Sequence, residues 1–233
     1  MFAARAALMK SSAVWTPVTY QAVGTGGRTT GGTTASMSTS WTHNCSSSGA
    51  TTVVIAAVAF GGADTGGFLG DVSCTYGGVA MTAMGAKYGY DVSDQQGYVW
   101  FFYMVNPPTG SQTVQADWAS GDLKRVIMGN SVSYTGFGSF GTRVNAQGTP
   151  TLPSVSLTGA NLPTNSMGIA MAVHNSTLTG SNRTQRHLTG ATTSSYADYF
   201  AIQDVVGDGT TKSFTHTGTS QRWSSIAVPI LPV

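Results

Sequence analysis

The segment Thr51–Phe60, TTVVIAAVAF, places the strongest constraint on the fold, because both of its alternating faces are apolar beyond the first two threonines. It carries no charge and no turn residue. It is about half as long as the roughly 20 apolar residues that a helix needs to span a bilayer, and its β-branched Val53, Val54 and Ile55 favour a strand. The segment predicts a strand buried on both faces, and no membrane insertion.

A strand with two apolar faces needs cover on both sides. Each fully buried Val or Ile side chain stabilises the folded state by about 1.5–3 kcal/mol. A solvent-exposed face would therefore lose much of the free energy that favours folding. We expect one face to pack on a facing sheet and the other on a loop, an N-terminal segment or another subunit. Tyr98–Val105, YVWFFYMV, has the same character. The two segments therefore predict a central sheet and a partner.

The composition indicates an all-β chain with an uncharged polar surface. Only 9% of the 233 residues are charged, against an ordinary value of about 25%. All nine acidic residues are Asp, and the absence of Glu fits strands better than helices. The net charge of +2 is small and scattered, without a cluster of basic and aromatic residues. These features argue against a nucleic-acid partner.

The chain divides into an N-terminal part and a body. Met1–Val23 combines a short helical pattern with a strand pattern, and Gly24–Ser36, GTGGRTTGGTTAS, is typical of a flexible Gly/Thr linker. We therefore predict an extended arm and linker over residues 1–36 and a single β-sandwich domain over residues 37–233. Strand and turn signals alternate along the body at the short spacing of an antiparallel, two-sheet, jelly-roll-like sandwich.

The body is predicted to contain strands at Met37–His43, Thr51–Phe60, Val72–Tyr76, Val79–Met84, Tyr98–Val105, Gln112–Trp118, Val126–Tyr134, Ser154–Leu157, Met167–His174, Arg183–Leu188, Tyr196–Val206, Lys212–His216 and Arg222–Ile230. Gly77-Gly78 supplies the positive φ angles of a tight hairpin turn. The last strand places Ile226, Val228 and Ile230 on one face and is expected to close the core. Its Pro229 lacks an N–H and must lie at an edge or outside the hydrogen-bonded ladder.

The remaining sequence signals concern compartment and thiols. The first ten residues lack the apolar core and cleavage site of a secretory signal, which predicts a protein made in the cytoplasm. Two cysteines in a chain of this length do not make a disulfide framework. We expect Cys45 and Cys74 to be free, half-buried thiols.

No residue pattern predicts a catalytic, metal or cofactor site. His43, His174, His187 and His216 lack metal-ligand spacing and are expected to be ordinary strand residues. The Ser-rich sequence leaves a Ser-His-Asp triad open, although it lacks a GxSxG motif. The Asp pairs considered for glycoside cleavage or calcium binding lie at turn signals, where Asp is favoured for local hydrogen bonding; they are Asp91 and Asp94, Asp204 and Asp208, and Asp64 and Asp71.

One group of residues suits ligand or partner binding. Aromatic side chains in or beside Gly-rich loops can stack on sugar faces or anchor protein interfaces. The same residues could instead cap the ends of the core. They are Tyr88, Tyr90, Phe137, Phe140, Tyr196 and Tyr199.

Several motifs, in their order and spacing, resemble the β-sandwich domain of minor tail and other virion proteins of tailed phages infecting actinobacteria. The likeness covers most of residues 37–233 and leaves the first 36 residues outside. The motifs are Ser40–His43, TVVIAAVAF, Cys74–Met81, Val105–Val114, Ser131–Gly136 and Ser225–Pro229.

The resemblance implies a non-enzymatic structural protein of the virion, assembled in the host cytoplasm from contacts with other virion proteins and copies of itself. We expect a minor tail protein that docks through its arm and apolar strand faces and contacts the host surface through its loops. A capsid decoration or cement protein is the close alternative. A carbohydrate-binding module for host cell-wall glycans is an alternative of another class, and a cell-wall hydrolase is a third.

Overall fold

The computed structural model describes residues 15–31, 36–62, 72–92, 95–118, 124–192 and 197–233. These residues form β-strands and one short 3-10 helix, Gly159–Asn161. The strands are β1 (Thr19–Val23), β2 (Gly27–Thr30), β3 (Met37–Cys45), β4 (Thr52–Gly62), β5 (Val72–Tyr76), β6 (Val79–Ala80), β7 (Thr82–Ala83), β8 (Tyr88–Val92), β9 (Gln95–Val105), β10 (Gly110–Trp118), β11 (Lys124–Thr135), β12 (Phe137–Phe140), β13 (Val144–Thr151), β14 (Ser154–Leu157), β15 (Met167–His174), β16 (Leu178–Ser181), β17 (Thr184–Thr192), β18 (Ala197–Val206), β19 (Lys212–Gly218) and β20 (Gln221–Pro232).

The strands form four antiparallel sheets, which confirms the predicted all-β sandwich and doubles its expected number of sheets. The first inner sheet has the order β1-β11-β4-β9-β7, with β2 also on β11 and β8 also on β9. The first outer sheet has the order β3-β10-β5-β6. The second inner sheet has the order β12-β20-β15-β18-β17, with β13 also on β20, and the second outer sheet has the order β14-β19-β16.

The sheets stack in four layers with a hydrophobic core between each adjacent pair. The central core lies between the two inner sheets, where Ile55 and Phe101 meet Ile169, Phe200 and other apolar side chains. The alternate faces of the first inner sheet pack on the first outer sheet. The second inner sheet packs in the same way on the second outer sheet. Because both inner sheets are covered on two faces, their strands need apolar side chains on both faces.

Other strands of the same chain therefore cover both apolar faces of the segment Thr51–Phe60. Every residue of β4 from Val53 to Phe60 is fully buried. One face enters the central core, and the other packs against Trp41, Tyr76 and Trp118 of the first outer sheet. The prediction of a strand buried on both sides is confirmed. The inference that a partner must cover its second face is wrong, because β3, β5 and β10 supply that cover.

Residues 15–31 are integrated into the body. β1 pairs with β11 from Thr19↔Thr135 to Val23↔Val132, and β2 pairs with β11 further along. The Gly/Thr segment predicted as a flexible linker thus supplies a strand, because its small residues allow close approach to the neighbouring sheet: a Cβ on Gly27 would meet the carbonyl oxygen of Ser40 at 2.5 Å. The short helix predicted over Met1–Lys10 lies outside the described residues.

The two halves of the chain repeat one topology. We call β1–β11 the N-terminal unit and β12–β20 the C-terminal unit. If β6 and β7 are set aside, the strands correspond one to one in chain order, and each pair of equivalent strands has equivalent neighbours. The units also exchange reciprocal hydrogen bonds: Val18 N–H donates to Asn165 C=O at 2.8 Å, and Phe137 N–H donates to Thr51 C=O at 2.9 Å.

Gly136 joins the two units and is predicted to be intolerant of a side chain. Its φ is +74°, and a Cβ there would collide with the carbonyl oxygen of Pro17. Gly136→Ala should therefore lower the free energy of unfolding by about 2 kcal/mol or more in urea denaturation. Gly209→Ala is the matched control, since Gly209 has φ +80° and open space around the Cβ position. Equal losses in the two variants would contradict a steric role for the junction.

The two cysteines are free, as predicted, and are more deeply buried than expected. Cys45 and Cys74 are 0% and 2% exposed, and burial raises the pKa of the Cys74 thiol to about 12. A thiol reagent such as DTNB should therefore modify neither cysteine in the native protein and both in denaturant. Rapid labelling of the native protein would show that the first outer sheet opens.

No helix within the described residues is long and apolar enough to cross a membrane.

Candidate functional site

The aromatic residues predicted as a contact surface do not form one cluster in the described structure. Phe137 is buried in the central core, and its ring centre lies 4.8 Å from that of the half-buried Phe140. Phe140 packs edge-on against Tyr103 at 4.9 Å. These two phenylalanines therefore cap the core, which is the structural alternative left open by the sequence.

The remaining members of the group are distributed over two strands. Tyr88 is half-buried on β8 opposite Val99, and it packs against the central core. Tyr199 is half-buried on β18 opposite Gly190 and His174. Tyr196 and the side chain of Tyr90 lie outside the described residues. Tyr88 and Tyr199 keep the predicted contact role as an untested prediction.

A buried histidine–serine cluster connects the first inner and outer sheets. His43 on β3 places Nδ1 at 2.9 Å from Ser131 Oγ and Nε2 at 3.0 Å from Ser133 Oγ, both on β11. Trp41 Nε1–H donates to the same Ser131 Oγ at 2.8 Å. Every member of the cluster is at most 4% exposed. The strand alternation produces this contact, because Trp41 and His43 share one face of β3.

The histidine–serine cluster joins two sheets by hydrogen bonds and lacks the geometry needed for acyl transfer. Serine hydroxyls occupy both ring nitrogens of His43, so neither is oriented by a carboxylate as a nucleophilic triad requires. Burial lowers the pKa of His43 to about 4, which keeps the ring neutral at pH 7. The serines are closed off from any substrate. The residues of an apparent Ser-His pair thus serve as hydrogen-bonding partners inside the fold.

A second polar cluster links the two units. Tyr134 Oη–H and Arg186 Nε–H both donate to Asp204 Oδ2, at 2.9 and 2.7 Å. The Arg186 guanidinium also lies over the ring of Tyr20, 3.6 Å from its centre. Burial raises the pKa of Asp204, and the ion pair with Arg186 only partly offsets that rise. The cluster brings together β1, β11, β17 and β18.

The Asp pairs suggested by the sequence do not form a carboxylate site. Asp204 is 1% exposed inside the cluster, whereas Asp208 lies at an exposed turn and accepts from Lys212 and Thr210. These contacts hold the pKa of Asp208 below its ordinary range. Asp64, Asp71, Asp94 and the side chain of Asp91 lie outside the described residues. Within the described residues, no group of three or more potential ligands could hold a metal ion.

An open groove lies where the two units meet at the ends of the described chain. Its volume is about 550 Å³, and the residues that line it come from four segments of the fold. The lining residues are Trp15, Ser139, Pro163, Thr164, Asn165, Leu231 and Pro232. Trp15 is 56% exposed, whereas every other aromatic side chain that the structure describes is buried or half-buried. Sequence patterns missed this site because Trp15 precedes the first strand and has no neighbouring motif.

Comparison with known proteins gives no identification. The chain matches no protein-family model, no curated protein and no solved structure.

Proposed function

We propose that this chain is a non-enzymatic structural protein of a tailed-phage virion, most simply a minor tail protein. The observation that carries the proposal is the buried bridge between the segments of the resemblance. Trp41 and His43 of the first motif bond Ser131 and Ser133 of a later one, and Tyr76 of a third packs edge-on against His43 at 6.1 Å between ring centres. The residues that carry the likeness thus serve the framework of the fold and not a reactive centre.

The surface of the outer sheets also supports an assembly role. The exposed positions of β3 are uncharged, with Ser38, Ser40 and Thr42 facing solvent, and β14 exposes Ser154 and Ser156. Small hydroxyl side chains lose little conformational entropy when they become buried in an interface. Such faces can enter a permanent protein contact without desolvating a large number of charges.

Docking through the apolar strand faces, as expected from the sequence, is not part of the proposal. Those faces are buried within the chain itself, so contacts with other virion proteins and with copies of this chain must use its polar faces, strand edges or loops. The unpaired outer edges of β6 and β17 are open to such contacts among the described strands. Edge strands present free backbone donors and acceptors that can pair with another chain.

The proposal is tested by finding the protein in virions. Particles produced from the genome that encodes the chain should contain it by mass spectrometry, and immunogold labelling should decorate the tail. Deleting the gene should yield particles with defective tails or adsorption, and supplying the wild-type chain should restore them. Label on the capsid would favour the decoration alternative, and absence from purified particles would refute the virion role.

A further inference from the structure

We propose that the groove at Trp15 is a binding site for a neutral saccharide. The site stands apart from the virion role, because the groove geometry carries it and the resemblance does not. The groove volume of about 550 Å³ falls within the 300–1,000 Å³ typical of small-molecule sites. Such sites also occur preferentially where two packed units meet, as this groove does.

The groove lies at a defined position in the repeated topology. In the N-terminal unit, β11 runs directly into β12, and the chain passes without a break through Thr135, Gly136 and Phe137. The equivalent place in the C-terminal unit is the end of β20 beside the segment that precedes β1. Trp15, from that segment, and Pro232, from the end of β20, both line the groove.

The walls of the groove are held in place by backbone hydrogen bonds. Asn165 has a left-handed conformation with φ +69°, and its carbonyl accepts from Val18 N–H at 2.8 Å. Ser166 N–H donates to Pro163 C=O at 3.2 Å, and Gly207 N–H donates to Ser166 C=O at 2.9 Å. Non-glycine residues with positive φ are uncommon and occur often at ligand sites. A rigid wall lowers the ordering cost of binding.

The lining chemistry matches a sugar. The exposed indole of Trp15 offers a flat face for the C–H face of a pyranose ring, with Pro163, Leu231 and Pro232 completing the apolar surface. Ser139, Thr164 and Asn165 supply hydroxyl and amide groups that donate to and accept from sugar hydroxyls. None of the lining residues that the structure describes is charged, so a neutral ligand fits better than an anionic one.

The test is a titration of the full-length, ¹⁵N-labelled protein with four neutral trisaccharides: maltotriose, cellotriose, mannotriose and triacetylchitotriose. The Trp15 indole N–H signal is assigned by its loss in Trp15→Phe. We expect at least one sugar to shift this signal with a millimolar Kd, and Trp15→Ala to weaken binding by about tenfold or more. Trp15→Phe should retain part of the affinity because it keeps an aromatic face.

Two further variants test whether the sugar binds in the groove. Asn165→Gly removes the amide while tolerating the left-handed backbone, and it should weaken binding by roughly five- to tenfold, the effect of one hydrogen bond. Asn106→Gly is the matched control, and it should bind normally because Asn106 has the same left-handed backbone, with φ +55°, and lies outside the groove. Thermal unfolding of each variant verifies that it is folded.

Two outcomes overturn the assignment. If no trisaccharide shifts the Trp15 signal, or if binding persists unchanged in Trp15→Ala, the groove is not a saccharide site. If a polyproline peptide shifts the signal and the sugars do not, the groove binds a peptide and the proposal fails. Neither outcome affects the virion role, which is decided by where the protein lies in particles.

Discussion

Lowering the pH from 7 to 4 should reduce the free energy of unfolding by several kcal/mol, because buried histidines resist protonation. His43 and His216 are 1% and 5% exposed, and burial lowers the pKa of each imidazole to about 4. The same cause lowers the pKa of the half-buried His187 to about 4 and that of His174 below its ordinary value. The amide Nε2–H of Gln203 donates to His216 Nε2 at 2.9 Å, so adding a proton to that nitrogen would break a buried hydrogen bond.

The sign follows from proton binding in the two states. In the unfolded chain each imidazole has its ordinary pKa of about 6.5, so between pH 6.5 and 4 the unfolded state binds protons that the folded state does not. Stability is therefore complete above pH 6.5 and falls as the pH drops toward 4. A shift of this size is worth about 3 kcal/mol for one fully buried ring. The raised pKa of Asp204 acts in the opposite direction and offsets part of the loss.

Urea denaturation at a series of pH values between 7.5 and 4 measures this effect. His43→Gln removes one buried titrating group while keeping polar atoms near Ser131 and Ser133, so the stability of this variant should change less across the same pH range. A free energy of unfolding that stays constant between pH 6.5 and 4.5 would contradict the prediction, because it would show that the histidines are protonated equally in both states.

Asp204→Ala should destabilise the protein by about 3–5 kcal/mol, because it removes one partner of a buried ion pair and leaves the other charge uncompensated. The Arg186 side chain is only 19% exposed, and the fully buried hydroxyl of Tyr134 would also lose its acceptor. Since Tyr134 belongs to the N-terminal unit and Arg186 to the C-terminal unit, the loss would weaken the contact between them. Equilibrium unfolding in urea gives the change directly.

Asp208→Ala is the matched control. Asp208 is a second Asp of the same unit, but its side chain is 54% exposed and its ion pair with Lys212 lies at the surface. Surface ion pairs contribute little, so this variant should unfold at nearly the wild-type urea concentration. Asp204→Asn should lie between the two, because the amide oxygen still accepts hydrogen bonds without the charge. Similar losses for Asp204→Ala and Asp208→Ala would show that the buried cluster is not a clamp between the units.

Most strands of the body were predictable from local patterns. Val72–Tyr76, Ser154–Leu157 and Met167–His174 have the predicted bounds, and the Gly77-Gly78 hairpin is confirmed by φ angles of +57° and +80°. Ile226, Val228 and Ile230 enter the central core as predicted. Pro229 lies where β20 passes from pairing with β12 to pairing with β13, so its missing N–H costs no ladder bond on that side.

The strands that sequence patterns missed all contain glycine; they are β2, β8, β12, β13 and β16. β2, GRTT, and β16, LTGS, are short and polar or Gly-containing, and each forms a strand because a neighbouring strand offers it hydrogen-bond partners. Local propensity is a weak guide in such cases, because β-structure depends on cross-strand neighbours. The repeated topology was hidden for a related reason: equivalent strands share their neighbours in the sheets and not a sequence motif.

The candidate groove was beyond sequence reasoning altogether. Trp15 and Pro232 lie at opposite ends of the described chain. The pairing of β1 with β11 and of β12 with β20, together with the Val18–Asn165 hydrogen bond between the units, brings them together. Aromatic residues in Gly-rich loops are often exposed and available for binding. Phe137 and Phe140 instead pack inward, because the central core extends to the junction between the units.

The sequence by itself determined that this chain is an antiparallel β protein with some strands that are apolar on both faces, because the alternation of side chains along a strand is a local property. Only the tertiary structure decided which segments bury the two faces of these strands. Burial depends on which distant segments meet, and here two repeated units supply the cover for each other and for themselves. The outward-facing residues, and with them the groove at Trp15, are what this mutual packing leaves uncovered.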